Sequence, residues 1–294
     1  MLAVTSPKLT GFVFLFVPVV VAPIVIFGRA VRRRSRRAQD GIAEIVINNP
    51  PVNALNSEDW FVFADTVKSF GSRPDVNCVV IRAEGRGFQA GVDVKELAED
   101  GTKIVAASRG CYDTFAAVYD CPVPVISAVH GYCIGGGLGV AGNSDIVIAS
   151  EDATFALTEI DRGALGAATH TMRMFGIQKA RRMLYTGEAI DAREAYRLGG
   201  VESVVPREKL RDAAFELARN IAGKSGKALR LAKWSLNGIE LLDPKDSYRF
   251  EQGFTFELYT SDDSQEARDA FVEKRDADFE SKRPKSGGAD KDKD

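Results

Sequence analysis

Residues 130–139 read His130-Gly131-Tyr132-Cys133-Ile134-Gly135-Gly136-Gly137-Leu138-Gly139, and the apolar run Val123 to Val129 stands immediately before them. Three consecutive glycines after a buried strand expose backbone N–H groups at a helix start and let a ligand come close. The helix start also favours developing negative charge. A second turn, Gly87-Phe88-Gln89-Ala90-Gly91-Val92-Asp93, follows another buried run, Val76 to Ala83. Either turn alone reads more simply as tight helix–strand packing. Side by side, the two could direct two N–H donors at one oxyanion, which assists a reaction passing through an enolate or a tetrahedral anion.

Outward from these turns, the chain alternates strands and helices. Ala43 to Ile47 is β-rich, and Pro50-Pro51 ends the strand. Ser57 is the expected N-cap of a helix from about Glu58 to Ser69, with Trp60, Phe61, Ala64 and Val67 on one face. Lys103 to Tyr119 and Gly135 to Gly142 read as helices, and Ile146 to Ala149 as a strand. Such alternation predicts an α/β fold with covered sheets. From about Arg207 only helical periodicity remains, over 207–222, 226–237, 247–259 and 264–281. The expected organisation is a core over 39–206, a helical region over 207–282 and a polar, disordered tail over 283–294.

Composition narrows the classes. At 45% hydrophobic residues the chain can bury a sizeable core, and a net charge of −2 argues against a nucleic-acid partner. Cys78, Cys111, Cys121 and Cys133 form no C-x-x-C pair, so small buried hydrophobes in a reducing cytoplasm are the expectation. With only two histidines, His130 and His170, no metal site is expected. The uncharged run Gly11 to Phe27 is followed by six arginines between Arg29 and Arg37. It reads either as a short anchor holding the globular part on the cytoplasmic face of a membrane, or as an over-long start. Residues 1–38 are therefore set apart from the fold. Gly137-Leu138-Gly139-Val140-Ala141-Gly142 satisfies G-x-G-x-x-G, yet the next strand begins only about four residues later, too soon for the helix of a dinucleotide-binding unit.

Taken together, the motifs resemble the crotonase, or enoyl-CoA hydratase/isomerase, superfamily. They are Asn48-Asn49-Pro50-Pro51-Val52-Asn53-Ala54-Leu55, the Ala90-Gly91-Val92-Asp93 turn, Pro124 to Asp145, Tyr185-Thr186-Gly187-Glu188 and Phe271-Val272-Glu273-Lys274-Arg275. The resemblance implies a spiral of ββα units with a helical C-terminal region that packs trimers, or dimers of trimers. It implies oxyanion donors on the N–H groups of Val92 and Gly136. Coenzyme A, carried by the substrate and with no other cofactor, is expected along the Val92 to Lys95 turn with Ala90, Asp93 and Lys95. Phe271 and Lys274 of a neighbouring subunit are expected at its adenine and phosphate; a solvated helix charge is the alternative for Lys274.

Hydratases of this superfamily use two glutamates. By the resemblance the first position falls at Gly139 and is vacant, whereas the second falls at Glu159 and is kept. A carboxylate in a partly desolvated site can serve as a general base. Losing its partner argues against hydration by paired acids. Asn143-Ser144-Asp145, Ser150 to Phe155, Arg162 to His170 and Tyr248 to Leu258 resemble more narrowly the actinobacterial hydrolases in this superfamily that open the last steroid rings. That likeness implies water attack on a ring ketone of a β-diketone-like CoA ester, then C–C cleavage. Glu159 is then the expected base, His170 or Asp161 handles a proton, and Arg162 pairs with an acidic group of the substrate. Structural or solvated roles remain open for these last three. The alternative activity is a single-glutamate hydratase or isomerase of fatty-acid β-oxidation.

Overall fold

The computed structural model of the protein describes residues 36–162, 166–240, 257 and 261–279. The apolar run 11–27, the tail 283–294 and, apart from Glu257, the expected helix 247–259 lie outside the described residues.

Alternation with a period of two builds the main sheet. In β2 (Ile42–Ile47), Ala43, Ile45 and Ile47 enter one hydrophobic core, while Ile42 enters a second on the opposite face. Val79 and Ile81 of β3 (Cys78–Ala83) join the first core, and Cys78 and Val80 the second. In β4 (Val125–Val129), Val125 and Val129 split from Ile126 and Ala128 in the same way. A sheet apolar on both faces must be covered on both. The helices α1 (Ser57–Gly71) and α3 (Ile104–Tyr119) supply Trp60, Phe63, Val67, Ala117 and Val118 to the first core. From the helical region α7 (Leu210–Ala222) supplies Leu210, Ala214, Ala218 and Ala222 to the second.

The six strands run in the order β1-β2-β3-β4-β6-β9, with β1 at Arg36–Gln39, β6 at Ile146–Ser150 and β9 at Ser203–Val205. The β1–β2 pair is antiparallel and the other pairs are parallel. Among the described residues, pairing therefore reaches back to Arg36, inside the segment set apart at the sequence level. After β4 the chain leaves this sheet at His130-Gly131. It enters a three-stranded one ordered β5-β7-β8, formed by Tyr132–Ile134, Thr154–Ala156 and Ala189–Asp191. The short helix α4 (Gly136–Asn143) starts from the end of β5, at the junction of the two sheets.

Two local expectations need correction. The cap of α1 is Asn56, whose extended backbone lets its side chain accept the Asp59 N–H at 2.8 Å. Asn caps as well as Ser, and Ser57 is engaged elsewhere: its N–H and hydroxyl both donate to Glu96 Oε2, at 2.8 and 2.7 Å. That contact ties α2 (Val94–Glu99) to the start of α1. The last described helix, α9, spans Asp262–Glu273 rather than 264–281, because Lys274 adopts a left-handed φ of 57° and ends it. The remaining α-helices among the described residues are α5 (Ala168–Thr186), α6 (Ala192–Arg197) and α8 (Gly226–Ile239).

Candidate active site

The turn Gln89–Val92 is held from both sides. Leu55 pairs with Val92: the Leu55 N–H donates to Gly91 O at 3.0 Å and the Asp93 N–H donates to Leu55 O at 2.9 Å. On the other side Ile134 N–H donates to Gln89 O at 2.9 Å. The buried Gln89 side chain closes the turn on itself, donating from Nε2 to Gly91 O (2.9 Å) and accepting the Gly91 N–H (2.7 Å). A trans peptide sets its C=O and N–H in opposite directions. With Gly91 O committed to Leu55 and Gln89, the Val92 N–H is turned the other way. A Cβ on Gly91, whose φ is +86°, would stand 3.6 Å from Gly136 N. The two glycine turns are therefore in direct contact. Gly136 has a similar need for space, since a Cβ there would lie 2.7 Å from the ring of fully buried Trp60.

One face of α4 and its cap is a glycine stripe. Gly135, Gly139 and Gly142 recur at the spacing that stacks residues on one helix face. Gly135, with a φ of +53°, has no Cβ to spare: one would overlap the Glu159 carboxylate. A Cβ on Gly139 would overlap the Phe115 ring, and one on Gly142 would lie 2.6 Å from the His170 carbonyl. The stripe thus receives Glu159, Phe115 and His170 in that order. Phe115 packs edge-on against Trp60 (5.8 Å between centroids) and against His170 (4.8 Å). No second carboxylate fits at position 139 while Phe115 stands there.

His170 lies in the first turn of α5, and Asn143 Nδ2 is 2.9 Å from its Nδ1. Burial first, then the Arg173 guanidinium, push its pKa down to about 4. Cys111, one turn before Phe115 on α3, sits near Glu159. Burial chiefly, and the Glu159 charge in addition, push its thiol up to about 12. Glu159 itself opens a short 3-10 turn ending at Arg162 and is half-buried, with Oε2 shielded from solvent.

The other expected residues are more scattered. Asp161 is exposed and lies against the end of α5, where a Cβ on Gly187 would be 2.6 Å from its Oδ2. Asp93 caps α2, accepting the Lys95 N–H at 2.9 Å, and Lys95 is exposed beside half-buried Ala90 and Val92. Lys274 is exposed at the end of α9. The side chains of Arg162 and Phe271 lie outside the described residues. No group of three or more His, Cys, Asp or Glu suited to a metal occurs among the described residues. No helix among them is long and apolar enough to cross a membrane. Cys111 and Phe115 lie outside every quoted motif, and Gln89 and Asn143 fall inside quoted motifs without a role assigned to them. Gly139 was the one hint: a bare helix position invites a large neighbour.

Comparison with known proteins adds an independent line. Residues 37–282 match the family model described as enoyl-CoA hydratase/isomerase. Over 236 residues the chain is 52% identical to the (7aS)-7a-methyl-1,5-dioxo-2,3,5,6,7,7a-hexahydro-1H-indene-carboxyl-CoA hydrolase of Rhodococcus jostii, covering 80% of this chain and 92% of the relative. The protein of the same name from Mycobacterium tuberculosis is 49% identical over 242 residues, covering 82% and 98%. The crystal structure of an enoyl-CoA hydratase from Bacillus anthracis superposes with a TM-score of 0.80 at 29% identity, over 83% of this chain and 97% of that one.

Proposed function

The chain belongs to the enoyl-CoA hydratase/isomerase family, and from that premise we propose that it hydrolyses a carbon–carbon bond in a steroid-derived bicyclic CoA ester. The observation that carries this reading is the pairing of Glu159 with a filled second position. One carboxylate sits at the cap of α4, and Phe115 occupies the space beside Gly139 that a second would need. A site with one carboxylate and an aromatic wall suits activation of water against a bulky ring better than water held between two acids. The similarity to relatives named as hydrolases of such an ester supports the same choice.

In this reading the thioester oxygen accepts from the N–H groups of Val92 and Gly136. Glu159 takes a proton from water as its oxygen bonds to a ring ketone carbon. The resulting alkoxide collapses, the adjacent ring C–C bond breaks, and its electron pair moves to the thioester as an enolate. Two backbone donors in a desolvated turn are strongest where that charge develops. The enolate carbon then takes up a proton, which Glu159 can return, so the net change is addition of one water. His170 and Asp161 are secondary candidates for proton handling, and Asp161 lies on the outer side at Gly187. Arg162 is assigned to an acidic group of the substrate. Coenzyme A is assigned to the Ala90–Lys95 turn, with Phe271 and Lys274 reaching it from a neighbouring subunit of a trimer or a dimer of trimers. No cofactor beyond the coenzyme A of the substrate enters these steps.

The test is incubation of purified enzyme with the bicyclic dione-carboxyl-CoA ester and, separately, with crotonyl-CoA. A product heavier by one water and carrying a new carboxylate supports ring opening. Hydration of crotonyl-CoA without ring opening would replace this reading with the single-glutamate hydratase. Glu159→Gln should lower kcat at least about 100-fold, the size expected for a lost general base, and full turnover in that variant would remove Glu159 from the role.

A further inference from the structure

The polar contact between α4 and α5 bears on which nitrogen of His170 carries the proton. Asn143, buried at the end of α4, donates from Nδ2 to Gly139 O at 2.7 Å. Exchanging the amide nitrogen and oxygen would set two oxygens against each other, so this bond fixes the orientation of the amide. The same Nδ2, which carries two hydrogens, lies 2.9 Å from His170 Nδ1. Facing a donor, Nδ1 must present its lone pair. In a neutral imidazole the proton is then on Nε2, at the opposite edge of the ring. A proton on Nδ1 would meet the amide hydrogens, which also disfavours the charged ring. Phe115 packs on His170, and the His170 backbone rests on Gly142, so the ring is held in place. Nε2–H has no partner among the described residues.

We propose that Asn143 is a positioning residue that locks His170 in the Nε2–H form, and that this N–H binds a second oxygen of the acyl group, remote from the thioester. The proposal rests on the acyl-CoA reading above. It adds a specificity contact to that reading: a donor placed for a further carbonyl far enough along the acyl group to reach His170. His170 meets α4 at Gly142, six residues past Gly136, which is about 9 Å along the helix axis. A four-carbon acyl chain is well short of that rise, whereas the second ring of a bicyclic diketone carries a ketone further from the thioester and within reach of a His170 side chain that extends towards it.

Nitrogen-15 spectra of the full chain test the first half. With two histidines in the chain, the His170 signals are identified by their loss in His170→Gln. Wild type should show a protonated Nε2 and an unprotonated Nδ1. In Asn143→Asp, whose carboxylate accepts, the proton should move to Nδ1. A wild-type ring protonated on Nδ1 overturns the assignment whatever the variants do. Calorimetric binding tests the second half, using the bicyclic keto ester and the same ester with the remote carbonyl reduced to methylene. His170→Leu should bind the keto ester about tenfold more weakly and leave the deoxo ester unchanged, and His170→Gln, which keeps a donor, should recover part of the loss. Equal weakening for both esters overturns the acyl contact. Failure of wild type to bind either ester overturns the function proposed above, and the acyl contact with it, while the spectra still decide the Asn143–His170 lock.

Discussion

Asp59 shows how one carboxyl group can set the pH response of the fold. It is buried in the first turn of α1, and burial, followed by the Glu58 and Glu96 charges, pushes its pKa up to about 6. A carboxyl raised in the folded state contributes stability below its unfolded pKa of 3.8 and loses it as pH rises through 6. Asp59→Asn should therefore stabilise the protein by about 1–3 kcal/mol at pH 7.5 and leave it unchanged near pH 4, read from urea midpoints at both values. His170 acts in the opposite sense: its lowered pKa removes stability as pH falls from 6.5 through about 4. His170→Gln should flatten that acid limb in the same titration. At Gly135 both backbone and space are constrained. Gly135→Ala adds a Cβ at a φ of +53° that overlaps the Glu159 carboxylate. It should cost about 1–3 kcal/mol of stability and at least a tenfold loss of turnover, checked by thermal melts and steady-state kinetics on the same preparation.

At the scale of elements, α4 joins the two halves of the site through its missing side chains. Gly142→Ala should destabilise by about 1–3 kcal/mol, because the new methyl meets backbone at His170, which cannot move aside as a flexible side chain can. A hydrogen-exchange experiment should show the loosening confined to α4 and the start of α5. Elements with strong hydrophobic runs were legible in the sequence: β2, β3, β4 and β6 and the helices α1, α3 and α7 fall where periodicity puts them, within a few residues. The strands β5, β7 and β8, three residues each, are too short to show alternation. The helix α5 carries a non-helical Gly176 and buries only Thr171, Met174, Phe175, Ala180 and Met183, which blurs its period. Glu159 and the bare Gly139 could be found by position in the chain. Phe115 and Cys111 could not, nor could the role of Asn143, because their place beside the stripe exists only after α3 and α4 have packed.

For the whole molecule, α7 docks through its apolar face, whereas α8 is also tied by a few buried polar contacts. Lys233 on α8 is buried and pairs with Asp145 at 2.6 Å, and the same carboxylate oxygen accepts the Val125 N–H at 2.7 Å. Arg230, one turn earlier, donates to the carbonyls of Gly71, Arg73 and Val76. A half-broken buried pair costs more than a fully replaced one. Lys233→Ala should lower stability by about 3 kcal/mol, and the double variant Lys233→Met with Asp145→Asn should recover part of it, measured by denaturant unfolding. If α8 docked through apolar contacts alone, the two variants would unfold at the same midpoint.

The interlock of Gly139 with Phe115 also couples what the two positions can hold. A glutamate at 139 is blocked while the phenyl ring stands there, and shrinking the ring first opens a void against Trp60 and His170. Each substitution is harmful on the background that lacks the other. The two positions therefore can change only as a pair, and single substitutions at either one leave the interlock broken.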